Sequence, residues 1–359
     1  MATKSVLRER LSGAMALGGA PLGNLFRPIA DDAARSLVRH AYASGARYFD
    51  TAPHYGQGRS ERRMGAALRA FPREDYVLST KVGRLLEPRA DAPKDQHGYV
   101  DTLPFVQRYD YSGDGVRRSL AESLQRLGLD RVDLVYVHDI DRATHGTAHA
   151  QRLADALDGG LPALARLKAQ GVIHGYGLGV NDVAICSDVL RHADLDVILL
   201  AGRYTLADQS ALPELLPECE RRGVAIVLGG PFNSGILATG AHPRDGSLPY
   251  FNYAPAPSAV VERIVAIERV CAAFAVPLAA AALQFPLAHP AVTCVLPGAR
   301  SPVEFDENLR LARYPIAEAF WQALRAERLI DEQAPLPGGL ESSALGRGAG
   351  VRSASDPER

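Results

Sequence analysis

Short apolar runs alternate with longer stretches of helical periodicity along most of this chain, and that alternation constrains the fold more than any single motif. Residues 14–17, 47–49, 76–81, 132–138, 173–180, 197–200, 225–228 and 293–296 read as strands. Helical patterns fall between them: residues 32–44, a segment opening at Gly58 with Ser60 as its cap, then 114–127, 161–170, 182–192, 212–222, 258–274 and 302–312. A strand with one wet face alternates polar and apolar residues, whereas a strand covered on both faces is apolar throughout. The continuous runs therefore imply a parallel sheet with helices outside it. About eight such units close into a (β/α)8 TIM barrel, whose usual size of about 250 residues leaves room for insertions in a chain of 359. A doubly wound sheet is the weaker alternative, because Gly175-Tyr176-Gly177-Leu178-Gly179 puts Val180 where a GxGxxG motif needs its third glycine.

Two insertions interrupt the alternation. Residues 82–113 carry prolines, glycines and the aromatics Tyr99, Phe105, Tyr109 and Tyr111, which suits a packed lid on the carboxyl side of the strands. Residues 232–257 carry Tyr250, Phe251 and Tyr253. The expected organisation is one barrel domain over residues 1–333 and a flexible tail over 334–359, rich in Gly, Ser, Pro and Arg. A net charge of −1 supplies no basic field for nucleic acid or an anionic membrane. No apolar run reaches membrane-spanning length, and residues 1–13 hold no apolar signal core. Cys186, Cys219, Cys271 and Cys294 lie scattered in apolar segments, which suits buried thiols in a reducing cytoplasm.

The strands end in chemistry. The second closes at Asp50, with Tyr55 in the loop behind it; the third closes at Lys81 and the fourth at His138. Each has an ordinary reading alone: a turn cap, a loop aromatic, a surface cation, a core-edge histidine. A barrel brings adjacent strand ends to one cavity, so together they form a candidate site.

The runs YFDTAPHYGQGRSERRMGAAL, STK, DLVYVHDID and VLPGARSPVEFDENL resemble the aldo-keto reductase superfamily over most of the chain. Within it, the long segment after Lys81 and the run AGRYTL resemble the sugar 1-dehydrogenases that act on fucose- or arabinose-type aldoses, and pyridoxal 4-dehydrogenase looks similar too. The resemblance implies that Tyr55 exchanges the proton, that Lys81 and Asp50 tune it, and that His138 orients the substrate. A lysine cation beside a phenol is expected to lower the phenol's pKa. Hydride is expected to pass between an aldose carbon and a nicotinamide dinucleotide, with no metal.

The same resemblance places the dinucleotide against Asn181, Gly229, Pro231, Gly298, Ala299, Arg300, Glu304 and Asn308. Departures from the family pattern fall here: Val180 precedes Asn181, Ala201 replaces a glutamine, and Gly229 replaces a stacking tyrosine. Glu304 and Gly298 stand where relatives that use NADP carry cations, so NAD is expected over NADP. Three other readings stay open: a Schiff-base aldolase on Lys81, a nucleotide-binding regulatory subunit without turnover, and a metal site from His138, His145 and His149. The aldolase is disfavoured because a nucleophilic lysine must be neutral. Expected partners are a small sugar or aldehyde, no nucleic acid and no membrane, with the chain a monomer or homodimer.

Overall fold

A computed structural model of the chain describes residues 2–12 and 15–338. Eight parallel strands form one sheet in chain order: β1 (Met15–Gly18), β2 (Ala46–Asp50), β3 (Val77–Val82), β4 (Leu134–His138), β5 (Gly175–Val180), β6 (Val197–Ala201), β7 (Ala225–Gly229) and β8 (Val292–Leu296). The sheet curls until its edges meet. Gly18 N–H donates to the Pro297 carbonyl at 2.9 Å, and Gly18 and Gly298 form a parallel bridge. The expected barrel is the observed one.

Helices cover the outside for the reason their periodicity suggested. In Asp31–Ala43 the residues Ala34, Leu37, Val38 and Ala41 recur at helical spacing and are all buried. Burying a side chain such as Leu37 or Val38 contributes about 1.5–3 kcal/mol. Two acidic residues occupy the first turn, where the helix dipole favours them, and Gly45 at φ +100° follows the last turn. The Ser60 cap is not observed. Ser60 lies inside the helix Arg59–Leu68, and its hydroxyl donates to the Gly19 carbonyl at 2.7 Å instead.

The first insertion forms an antiparallel hairpin, Arg84–Pro88 with Phe105–Tyr109, and buries Tyr99 and Tyr111. The second ends in a small hairpin, Tyr250–Phe251 with Ala254–Pro255. An N-terminal helix, Ala2–Leu11, has no counterpart in the sequence reading. Its Leu7 and Leu11 join Tyr48, Leu134, Val197, Val227 and Leu296 in the cluster that fills the barrel. Of the tail expected over 334–359, Ala334 is buried and accepts a hydrogen bond from Arg325, and residues 339–359 lie outside the described residues. All four cysteines are buried.

Candidate active site

β2, β3 and β4 are neighbours, so their carboxyl ends lie side by side. Lys81 Nζ donates to Asp50 Oδ2 at 2.6 Å and to the Thr51 carbonyl at 3.0 Å. Both side chains of the pair are almost fully buried, at 1% and 2% exposed. Ser79, two residues before Lys81 on the same face of β3, donates to the other Asp50 oxygen at 2.6 Å and lies 3.0 Å from the Tyr48 hydroxyl. A buried ion pair is seldom more stable than apolar residues of the same volume. Its presence therefore points to chemistry rather than to stability.

The three glycines of β5 share one face, and the last makes room for this pair. A Cβ on Gly179 would stand 3.3 Å from Lys81 Cε and 3.1 Å from Tyr136 Cβ. The run that fails as a dinucleotide fingerprint thus makes space for the lysine. Tyr55 is fixed by a second close approach. Gly56, at φ +67°, packs against Gly23 so tightly that a Cβ would lie 2.3 Å from the Gly23 carbonyl oxygen.

Lys81 Nζ lies 4.7 Å from the centre of the Tyr55 ring. His138 meets that ring edge-on at 6.1 Å, and Tyr99 stacks on it at 5.9 Å. The four residues expected from the strand ends are therefore together. The expected lowering of the Tyr55 hydroxyl does not occur in the free protein. Burial pushes it well above the ordinary phenol value, and Asp50, Tyr99, Tyr253 and Asp139 push it the same way. The lysine charge is committed to Asp50 and the Thr51 carbonyl. Burial also pushes the Asp50 carboxyl up, against the pull of Lys81 and Ser79. His138 is held well below the ordinary imidazole value by burial, then by Arg84, Lys81 and His54, so it is neutral near pH 7. Its Nδ1 is buried without a partner among the described residues. The other histidines of the alternative metal set bond backbone carbonyls: His145 to Asp139 at 2.9 Å and His149 to Ile140 at 3.0 Å.

Residues that the sequence reading passed over complete this side of the site. Arg84 follows β3 by two residues and Asp139 follows His138. Arg84 Nη2 donates to Asp139 Oδ2 at 2.5 Å, and Arg84 Nη1 donates to Gln107 at 2.8 Å. Gln107 reaches His54 and Gln57 from the hairpin. The available signal was position: both residues lie next to strand ends already singled out.

The expected dinucleotide residues continue around the same rim. Asn181 follows β5, and among the described residues its side-chain amide has no hydrogen-bond partner. Gly229 ends β7 and Pro231 is buried just beyond it. A Cβ on Gly230 would meet only the Gly202 nitrogen, at 3.9 Å, so this stretch of rim is a bare backbone ledge that a flat ring can approach closely. Asn308 donates to the Gly298 carbonyl at 3.2 Å, and Ala299 is buried beside it. Arg300 is turned onto the loop after β1, donating to the carbonyls of Leu25, Arg27 and Pro28 at 3.1, 2.7 and 3.1 Å. Glu304 is exposed and accepts from the Arg300 backbone N–H at 2.8 Å.

A profile of the Aldo/keto reductase family matches residues 13–327. A pyridoxal 4-dehydrogenase from Microbacterium luteolum is 46% identical over 327 residues, covering 88% of this chain and 94% of that protein. A D-threo-aldose 1-dehydrogenase from a Pseudomonas species is 40% identical over 324 residues, with the same coverage of 88% and 94%. Among solved structures, the holo form of an aldo-keto reductase from Bacillus halodurans superposes with a TM-score of 0.66 at 25% identity, covering 89% of this chain and 94% of that one.

Proposed function

Because this chain belongs to the Aldo/keto reductase family, and is an oxidoreductase acting on CH–OH groups with a nicotinamide cofactor, we propose that it oxidises a cyclic hemiacetal to a lactone. The substrate on this reading is an aldose of the fucose or arabinose type, oxidised at its anomeric carbon, and the cofactor is NAD. One observation carries the reading: Tyr55 lies against a buried Lys81–Asp50 pair at the strand ends, with neutral His138 edge-on beside it. In the oxidative direction the Tyr55 phenolate, whose charge is balanced by Lys81 held on Asp50, takes the proton of the anomeric hydroxyl and becomes the neutral phenol. Neutral His138 hydrogen-bonds the reacting oxygen, which orients the carbon. The nicotinamide, when bound, supplies the acceptor for the hydride lost from that carbon. Asn181, the Gly229–Pro231 ledge and the segment from Gly298 to Asn308 hold it. Burial keeps the Tyr55 hydroxyl protonated at neutral pH, which favours proton donation in the reverse reaction and makes oxidation faster as pH rises.

Arg300 is occupied by backbone carbonyls and Glu304 places a carboxylate nearby, which supports NAD over NADP. Pyridoxal is the second reading. It closes through its own hydroxymethyl group to a cyclic hemiacetal, and the relative named for it is the more similar of the two, at 46% against 40%. Absorbance at the NADH band with a panel of aldoses and pyridoxal tests both. Lactone formation from an aldose is the expected result. Pyridoxal oxidation without aldose oxidation transfers the assignment, and NADH binding without turnover of any of them leaves a regulatory subunit.

A further inference from the structure

The Asp139 backbone is left-handed, at φ +44°, an uncommon conformation for a residue other than glycine. It is held there by contacts from three directions. Asp139 N–H donates to the Gly179 carbonyl at 3.1 Å; the Tyr111 hydroxyl donates to the His138 carbonyl at 2.7 Å; and His145 Nε2 bonds the Asp139 carbonyl at 2.9 Å. Backbone strain maintained this way tends to serve a site. Here it turns the carboxylate back toward His138, with Oδ2 at 2.5 Å from Arg84 and 3.4 Å from His138 Nε2.

The other oxygen, Oδ1, accepts no hydrogen bond among the described residues, and the side chain stays 20% exposed while Arg84 is 5% exposed. A partly exposed carboxylate beside His138, with one oxygen clamped by Arg84 and no hydrogen bond on the other among the described residues, has acceptor capacity left for a donor. A proton-exchange role is already filled by Tyr55, and Asp139 lies on the His138 side of that ring. Arg84 has no comparable opening. Its terminal nitrogens serve Asp139, Gln107 and Tyr109, and Nε is buried without a partner among the described residues.

We propose that Asp139 is a specificity-determining residue that accepts a hydrogen bond from a ring hydroxyl of the substrate away from the reacting carbon, with Arg84 as the positioning residue that aims it. The inference rests on the reading of the substrate as a hydroxylated cyclic hemiacetal. It selects sugars over hemiacetals that lack ring hydroxyls, because an unpaired carboxylate oxygen beside an apolar ring is unfavourable.

The test compares an aldose that the wild-type enzyme oxidises with tetrahydropyran-2-ol, a cyclic hemiacetal with no other hydroxyl. A lost hydrogen bond to a charged group corresponds to about 10–100-fold, so Asp139→Asn should lower the ratio of the two kcat/KM values by about that factor, chiefly through the aldose KM. Arg84→Met should lower the same ratio, with partial rescue in Arg84→Lys. Loss of activity in equal proportion on both substrates overturns the proposal, since Asp139 would then act through His138; an unchanged ratio overturns it as well. Calorimetric binding of the sugar lactone to the NADH complex gives a readout apart from turnover. Wild-type affinity in Asp139→Asn overturns the proposal, whereas a wild type that oxidises neither hemiacetal but binds lactone through Asp139 overturns the functional reading alone.

Discussion

At the scale of single residues, the site works by burying groups that water would otherwise level. Tyr55 is pushed up and His138 down by the same loss of solvent, which separates a protonated phenol from a neutral imidazole at one pH. Tyr55→Phe keeps the ring between Lys81 and Tyr99 and removes only the hydroxyl. Its kcat should fall by about 10²–10⁴-fold, and the rise of oxidation with pH should disappear. NADH affinity, read by fluorescence, should match wild type; a mutant that keeps most of its kcat removes Tyr55 from the proton transfer. The depressed histidines also set a stability profile. His54 and His138 take up protons on unfolding that they refuse when folded, so their contribution is complete above the unfolded value near 6.5 and is lost as pH falls below it. Each group contributes at most about 1.4 kcal/mol per pH unit over that window. Urea midpoints measured from pH 7 to pH 5 should decline, and His138→Asn should flatten the decline.

At the scale of elements, the strand ends do the placing and the neighbouring strands make the space. β3 delivers Ser79 and Lys81 on one face, so a single strand grips both oxygens of Asp50 from β2. β5 answers with a glycine at each inward position, and Gly179 leaves Lys81 a straight path across the barrel. Gly179→Ala would press a methyl group on the lysine stem at 3.3 Å and on Tyr136 at 3.1 Å. A displacement of a few tenths of an ångström is small for the fold but large for aligned reacting atoms. We expect about a tenfold fall in kcat with unchanged circular dichroism. A variant with full activity would show that Lys81 has slack in its position.

At the scale of the whole molecule, the barrel's seam adjoins the rim proposed to hold the cofactor. The edges meet at Gly18 and Pro297, and a few residues further on Arg300 grips the loop behind β1. A cation that closes the barrel in this way is withdrawn from any 2′-phosphate, and Glu304 adds repulsion at the surface. Exposed charge pairs contribute about 1 kcal/mol or less, roughly fivefold in an equilibrium. NAD should therefore give the higher kcat/KM, and Glu304→Arg should raise the NADP-to-NAD ratio by about that factor. Equal use of both cofactors by the wild type at matched ionic strength would show that Arg300 leaves the loop to bind phosphate.

The sequence by itself determined the barrel, because repeated apolar runs and helical periods are local patterns that survive without knowledge of their partners. It also determined Asp50, Lys81 and His138 as a set, since parallel strands bring their carboxyl ends together whatever else the chain does, and Tyr55 followed from the loop between them. What depended on distant contacts was decided only by the tertiary structure. The helix Ala2–Leu11 is sparse in apolar residues and is legible only once Leu7 and Leu11 meet the barrel interior. Ser60 had the sequence position of a cap, yet the Gly19 carbonyl claimed its hydroxyl. Lys81 stands beside Tyr55 as expected, but burial outweighed its charge, and burial is a property of the assembled molecule. Asp139 was one residue from a recognised histidine and silent, because its role depends on a left-handed backbone that Tyr111, His145 and Gly179 impose from three other segments of the chain.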